Sequence, residues 1–334
     1  MSQQNSEGGS SELRASLESS GKRRRTGILV GAGIVAAVAL VLTTVLVTNA
    51  VRGPGGDSAE AAAGGAPAGE RLSLRLAVSE DSDFQTAVAD VAAENGLDVE
   101  WVNVNDWVLP NTELAAGSVD GNAFQHILYL SNFNAQNNET LTPVFSTVIT
   151  QWGIFSATLD STDAFPDGAH IAIPDDPSNG GRALFILEAA GLLEISDDAG
   201  EFPTVDDITD NPKNLVLVPI AATTIPQQFD DPSLSGVVVG TSYFDPSQNI
   251  STDDALYLDD SLAEKNLPYT NVVATRADNV DNPAWAILED AYADPRVAAA
   301  LEKENFGNSV LVKVPVKTLR DKLADLEELA KANQ

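Results

Sequence analysis

The 334-residue chain contains two histidines, His126 and His170, and no cysteine. A cysteine nucleophile, a thiolate zinc site and a disulfide are thereby excluded. No Gly-x-Ser-x-Gly elbow, His-Glu-x-x-His pair or phosphate loop occurs, which leaves few nucleophilic options. Carboxylates are abundant, 49 Asp and Glu against 19 Lys and Arg, but such abundance carries no positional information. The residue types that remain are suited to holding a molecule rather than transforming one. Arg182 is the first of them. Its planar fork can bind both oxygens of a carboxylate, with charge-assisted bonds of about 1.5–3 kcal/mol. It falls in the first turn of a helix opened by Pro177-Ser178-Asn179, where free backbone N–H groups favour an anion. Taken alone it reads as a surface arginine paired with one of the many carboxylates. Trp107, Phe124 and Tyr129 offer aromatic faces against which an apolar group could pack, although any single aromatic is more often core. A lone histidine such as His126 is usually a satisfied polar group, and His170 has no assigned role. No catalytic residue, metal site or cofactor is expected.

The net charge is −30, unevenly spread. Six of the basic residues and only three of the acidic ones lie at or before Arg52, leaving 13 basic and 46 acidic residues in the last 282. A surface this acidic repels phosphate backbones, so nucleic acid is not expected as a partner.

Residues 1–25 are polar and end in Lys22-Arg23-Arg24-Arg25; they read as a disordered cytoplasmic tail. From Gly27 to about Val47 the chain is apolar apart from Thr43 and Thr44. Roughly 20 helical residues span a bilayer core of ~30 Å, so 26–51 reads as a transmembrane signal-anchor. The basic cluster before it places the N-terminus inside and the remainder outside the cell membrane. A cleaved signal peptide is the rival reading, with a normally shorter apolar core of ~7–15 residues. Residues 52–70, including GPGGDSAEAAAGGAPAG, are a flexible linker.

From Arg71 onward the pattern is α/β. Leu72, Leu74 and Leu76 alternate as a strand, Phe84–Asn95 has helical spacing, and Gly96 stands at a helix stop. Leu97–Val104 is strand-like, Asn111–Ala116 and Ala123–Asn137 read as helices, and 141–157 is extended. His170–Pro174, 215–220, Gly236–Gly240 and Tyr269–Arg276 are further strands, with a helix at Asn179–Gly191. Helices follow at 283–292, 295–304 and 315–332, each with a proline at its start. Strands alternating with helices predict parallel sheets, and some 265 residues suit two lobes around a cleft.

Three segments go beyond class: Asn105-Asp106-Trp107-Val108-Leu109-Pro110-Asn111-Thr112; Asp120-Gly121-Asn122-Ala123-Phe124-Gln125-His126 with Tyr129; and Ile173-Pro174-Asp175-Asp176-Pro177-Ser178-Asn179-Gly180-Gly181-Arg182. Together they closely resemble the methionine-binding (MetQ/NlpA-type) substrate-binding protein family of ABC importers. Asp210-Asn211-Pro212-Lys213-Asn214-Leu215 and Pro268-Tyr269-Thr270-Asn271 with Thr275-Arg276 extend the match. The resemblance implies a two-lobed periplasmic-binding-protein-like fold over 71–334, lobe 1 about 71–152 and 270–334 and lobe 2 about 153–269. It implies a membrane-tethered, extracytoplasmic receptor that delivers methionine or a methionine-like molecule to ABC permease and ATPase subunits, without enzymatic chemistry. Members are usually lipoproteins; here a transmembrane helix stands in place of the lipidated cysteine. The resemblance also assigns ligand roles. Arg182 grips the carboxylate, Trp107, Phe124 and Tyr129 enclose the side chain, and His126, Asn179 and Asn271 reach polar groups. Where the family commonly has an asparagine pair before Tyr243, this chain has Gly240-Thr241-Ser242, so Thr241 or Ser242 would supply a hydroxyl. That departure leaves a methionine derivative, a methionine-containing dipeptide or another apolar amino acid open, and a sensory surface receptor is the alternative to import.

Overall fold

The computed structural model describes residues 71–104, 106–260, 263–305 and 307–332. The expected tail at 1–25, transmembrane helix at 26–51 and linker at 52–70 lie outside the described residues. Among those described, no helix is long and apolar enough to cross a membrane.

The first strand, β1 (Leu72–Val78), leads into α1 (Asp83–Glu94). The Ser82 hydroxyl caps this helix by accepting the Gln85 N–H at 3.0 Å, and the helix stops at Asn95 before Gly96, whose φ of +86° suits glycine. Next come β2 (Leu97–Asn103), α2 (Leu109–Ala115), β3 (Gly121–His126), α3 (Ile127–Asn137) and β4 (Thr142–Ser146). Short strands β5 (Val148–Thr150) and β6 (Trp152–Phe155) follow, then β7 (His170–Pro174) and α4 (Pro177–Ala189). β8 (Glu194–Ile195) and β9 (Ile208–Asp210) form a small ribbon before β10 (Val216–Ile220), β11 (Gly236–Gly240) and β12 (Tyr257–Leu258). The chain closes with β13 (Asn271–Thr275), α5 (Ala284–Tyr292), α6 (Pro295–Asn305), β14 (Ser309–Leu311) and α7 (Val316–Ala332).

Two five-stranded sheets result, in the orders β2-β1-β3-β13-β4 and β10-β7-β11-β6-β12. Both are mixed rather than parallel. In the first, β1 runs parallel to β2 and β3, while β13 is antiparallel to β3 and β4. In the second, β7 is parallel to β10 and β11, while β6 is antiparallel to β11 and β12. The reversals arise where the chain crosses between sheets, because a strand entering from the other lobe need not obey the crossover rule of a local strand–helix–strand unit.

Each sheet has its own apolar core. Leu74, Leu76, Val88, Leu97, Trp285 and Leu288 pack one face of the first sheet. Leu128, Leu130, Leu319 and Leu326 join α3 to α7 on the other. Ile171, Ile173, Leu184, Leu187 and Val238 fill the second lobe. The chain passes between lobes after Ser146 and again at Tyr269–Asn271. The two passages are tied by the Thr147 N–H donating to the Asn271 carbonyl at 2.8 Å. β14 pairs with β5 beside the first passage, so the C-terminal region braces the hinge.

One element departs from expectation. The helix predicted over 123–137 begins only at Ile127; Gly121–His126 is a central strand. Its buried residues include Asn122, Gln125 and His126, so the apolar alternation that marks a half-buried strand is missing. The amides instead satisfy one another. Asn111 Nδ2 donates to Gln125 Oε1 at 2.7 Å, and Asn122 Nδ2 to Asn111 Oδ1 at 2.8 Å. Gly121 is needed in this strand for space. A Cβ there would lie 2.8 Å from the Ala274 carbonyl and 3.0 Å from both Leu76 and Trp285. Gly121→Ala is expected to destabilise the protein by about 1–3 kcal/mol through overpacking, read as a lower urea midpoint at unchanged slope.

Candidate ligand-binding site

A cavity of about 660 Å³ lies between the two sheets, lined from the first lobe by Trp107, Phe124, His126, Tyr129 and Asn271, and from the second by Trp152, Asn179, Arg182 and Tyr243. The strand ends and the α4 helix set these positions. Arg182 is only 2% exposed. As the sixth residue of α4, counted from Pro177, it falls in the second turn rather than the first. Its Nη2 donates to Asp259 Oδ2 at 2.8 Å and to the Thr150 carbonyl at 3.1 Å. The guanidinium carbon sits 4.8 Å from the Trp152 ring centroid and 4.3 Å from that of Tyr269. Asp259 is fixed in turn by the Trp152 N–H, at 2.8 Å to its other oxygen. The Arg182 Nε–H is buried and has no partner among the described residues. An unsatisfied donor on a buried cation is costly, and it belongs to a side chain that lines the cavity.

His126 joins the lobes. Its Nδ1 accepts the Tyr129 N–H at 3.1 Å, capping α3, so the ring proton lies on Nε2, which donates to Asn179 Oδ1 across the cleft at 2.9 Å. Asn179 Nδ2 donates onward to Asp176 Oδ2 at 3.0 Å. The helix cap is therefore Asp176, which accepts the Asn179 N–H at 2.9 Å. Its carboxylate, not a ligand, meets the free N–H groups at the start of α4. Burial pushes the His126 imidazole down to about 4, and the nearby Arg182 charge acts in the same direction; the Asn179 bond and Asp176 oppose it. The ring is neutral at physiological pH.

The aromatic wall also spans the cleft. Trp107 and Tyr243 approach to 5.4 Å between ring centroids, and Phe124 meets Tyr129 edge-on at 5.9 Å. The Tyr129 hydroxyl donates to the Trp107 carbonyl at 3.1 Å, so Tyr129 also shapes the turn that presents Trp107. Burial raises the phenols of Tyr129 and Tyr243, keeping both as neutral donors.

Seven of the eight sequence-predicted residues line one cavity: Trp107, Phe124, His126, Tyr129, Asn179, Arg182 and Asn271. Thr241 does not. It is 3% exposed, and its N–H and hydroxyl both donate to the Gln151 carbonyl, at 3.0 and 3.1 Å, so it anchors the end of β11. Its neighbour Ser242 faces the cavity. Sequence reasoning missed Trp152, Tyr269 and Asp259. Only Tyr269 lay within a recognised motif, and nothing local marks Asp259 among so many carboxylates.

Two mixed α/β lobes closed over an aromatic cavity with a buried guanidinium define a two-lobed substrate-binding protein. The chain belongs to the NlpA lipoprotein family, whose profile matches residues 74–313. It is 36% identical to the D-methionine-binding lipoprotein MetQ of Escherichia coli K12 over 240 residues, 71% of this chain and 87% of that protein. It is 32% identical over 231 residues to Lipoprotein 28 of the same strain, covering 69% and 84% of the two chains. Among solved structures, a nutrient binding protein from Burkholderia cenocepacia bound to methionine superposes with a TM-score of 0.66 at 33% identity, over 72% of this chain and 99% of the other. The methionine-binding protein MetQ superposes with a TM-score of 0.65 at 32% identity, over 73% and 99%.

The depressed His126 pKa has a definite sign. The unfolded chain takes up a proton near pH 6.5 and the folded protein only near 4, so stability falls as pH drops through that window. The loss is on the order of 3 kcal/mol for this group. His126→Gln should flatten the fall relative to wild type between pH 6.5 and 4, measured by urea unfolding at each pH.

Proposed function

We propose that this protein is the substrate-binding component of an ABC importer, capturing methionine or a methionine-like amino acid and delivering it to permease and ATPase subunits. The observation that carries this reading is the buried, partly unpaired Arg182 guanidinium in an aromatic-lined inter-lobe cavity. A free amino acid supplies what that cavity lacks. Its carboxylate takes the open Arg182 donors. Its ammonium finds the Asn271 carboxamide, which lines the cavity and has no side-chain partner among the described residues. Its apolar tail lies against Trp107, Phe124 and Tyr129. His126 and Asn179 line the same space and lock the lobes together. The names of the relatives point to the same ligand class. The protein binds and releases; it performs no reaction on its ligand.

A volume of about 660 Å³ falls within the ~300–1,000 Å³ of sites that hold drug-sized ligands. That size favours a methionine-containing dipeptide as the second reading.

The domain is extracytoplasmic and tethered. The tether is the apolar segment 26–51 with its N-terminus inside, followed by the 52–70 linker, because the chain has no cysteine to carry a lipid. Lobe 1 comprises about 71–152 and 270–334, and lobe 2 about 153–269.

Removing Arg182 alone would leave Asp259 buried and unpaired, at a cost of about 3–5 kcal/mol. The informative variant is therefore Arg182→Met combined with Asp259→Asn, which should fold with near wild-type stability and lose at least 100-fold in methionine affinity by calorimetry. Near-normal affinity would remove the carboxylate assignment. Membrane fractionation should find the full chain in the membrane pellet, released by detergent but not by high salt. A soluble product beginning after Ala50 would show cleavage instead.

A further inference from the structure

Trp152 stands where the hinge enters the second lobe, and the proposed carboxylate clamp does not account for its polar edge. It is 2% exposed, lines the cavity and covers one face of Arg182. Its backbone is held on both sides of β6. The N–H donates to Asp259, the carbonyl accepts the Asp259 N–H at 2.9 Å, and the residue pairs in register with Gly240 of β11. Its indole Nε1–H makes no hydrogen bond among the described residues and, unlike the Arg182 Nε–H, is not sealed from solvent. The indole N–H of a buried tryptophan normally finds a partner. Gly240 explains the indole's position. A Cβ at residue 240 would lie 2.8 Å from Trp152 Nε1 and 2.8 Å from the Tyr243 ring. Any side chain at 240 would displace the indole from its place beside Arg182.

We propose that the Trp152 indole N–H is a second donor to the ligand's carboxylate, acting with the open Arg182 donors, and that Gly240 is the positioning residue that makes room for it. The assignment rests on the amino-acid-binding reading above and deepens it. The site selects ligands that end in a free carboxylate. A carboxamide or ester at that end forfeits charge-assisted bonds to both groups, leaving both donors poorly matched. The same two donors accept the C-terminal carboxylate of a dipeptide as readily as that of methionine.

The test is calorimetry on the full-length protein in detergent with L-methionine and L-methioninamide, using wild type, Trp152→Phe and Gly240→Ala. Phenylalanine keeps a ring over Arg182 and removes the N–H; alanine at 240 pushes the indole aside while keeping it. Both variants should bind methionine about tenfold or more weaker, with less than a twofold change for methioninamide. Equal weakening for both ligands would reduce Trp152 to packing, and no change for methionine would remove it from the head-group site; either overturns the proposal. A measurement independent of variant folding is the ¹⁵N-indole spectrum of wild type. The Trp152 signal, identified by its loss in Trp152→Phe, should shift on saturation with methionine, and a stationary signal overturns the proposal. Wild-type protein that binds no methionine would instead sink the importer reading, and this assignment with it.

Discussion

A guanidinium held out of water is the constraint around which this structure is arranged. Burying an unpaired cation costs several kcal/mol even after relaxation, so the Arg182 side chain demands compensation from every direction. Asp259 supplies the opposite charge, Thr150 a carbonyl, and the Trp152 and Tyr269 rings cover its faces. These groups come from three separate stretches of chain, the hinge strands, the segment after β12 and the turn leading into the second passage, and meet Arg182 on α4. Their convergence requires the second sheet to be assembled and both passages to be in place. The remaining open donors are the part of the demand that the protein does not meet by itself.

Closure follows from the same economy. Among the described residues, one hydrogen bond from His126 to Asn179 and one ring contact between Trp107 and Tyr243 span the cavity, and beside it Lys322 pairs with Glu201 at 2.8 Å and Phe202 packs into the α3–α7 core. The contacts facing the cavity are polar or single rings, and a ligand that bridges both walls can shift the balance toward the closed form. The neutrality of His126 matters here. A second cation beside Arg182 would oppose closure, and burial keeps the ring uncharged.

The charge distribution isolates the site further. Between residues 153 and 269 the basic residues are Arg182, Lys213 and Lys265. Arg182 is buried in the cleft, while Lys213 is taken up by the Asp163 and Phe165 carbonyls. The cavity is lined by several carboxylates, including Glu80 and Glu304, and by Arg182 as its one guanidinium. An anion that enters meets repulsion at the rim and a single cation at depth. That pattern suits a zwitterion better than a polyanion.

Much of this is legible in the order of the residues. Hydrophobic spacing with glycine and proline stops placed most strands and helices within a residue or two, because helix ends and turns depend on local backbone conformation. Ordered motifs located Trp107, Phe124, His126, Tyr129, Asn179, Arg182 and Asn271, which the fold brings to one cavity. The rest arises only when distant segments meet in the folded chain. The strand at 121–126 was hidden because its amides are satisfied by each other rather than by an apolar face. Antiparallel pairing came from strands that return from the other lobe, which no local period encodes. Thr241 turned inward because the Gln151 carbonyl lies within reach only after β6 and β11 pair. Asp259 and Trp152 gained their roles from contacts with residues 77 and 88 positions distant, and a pairing at that range leaves no mark in a single sequence.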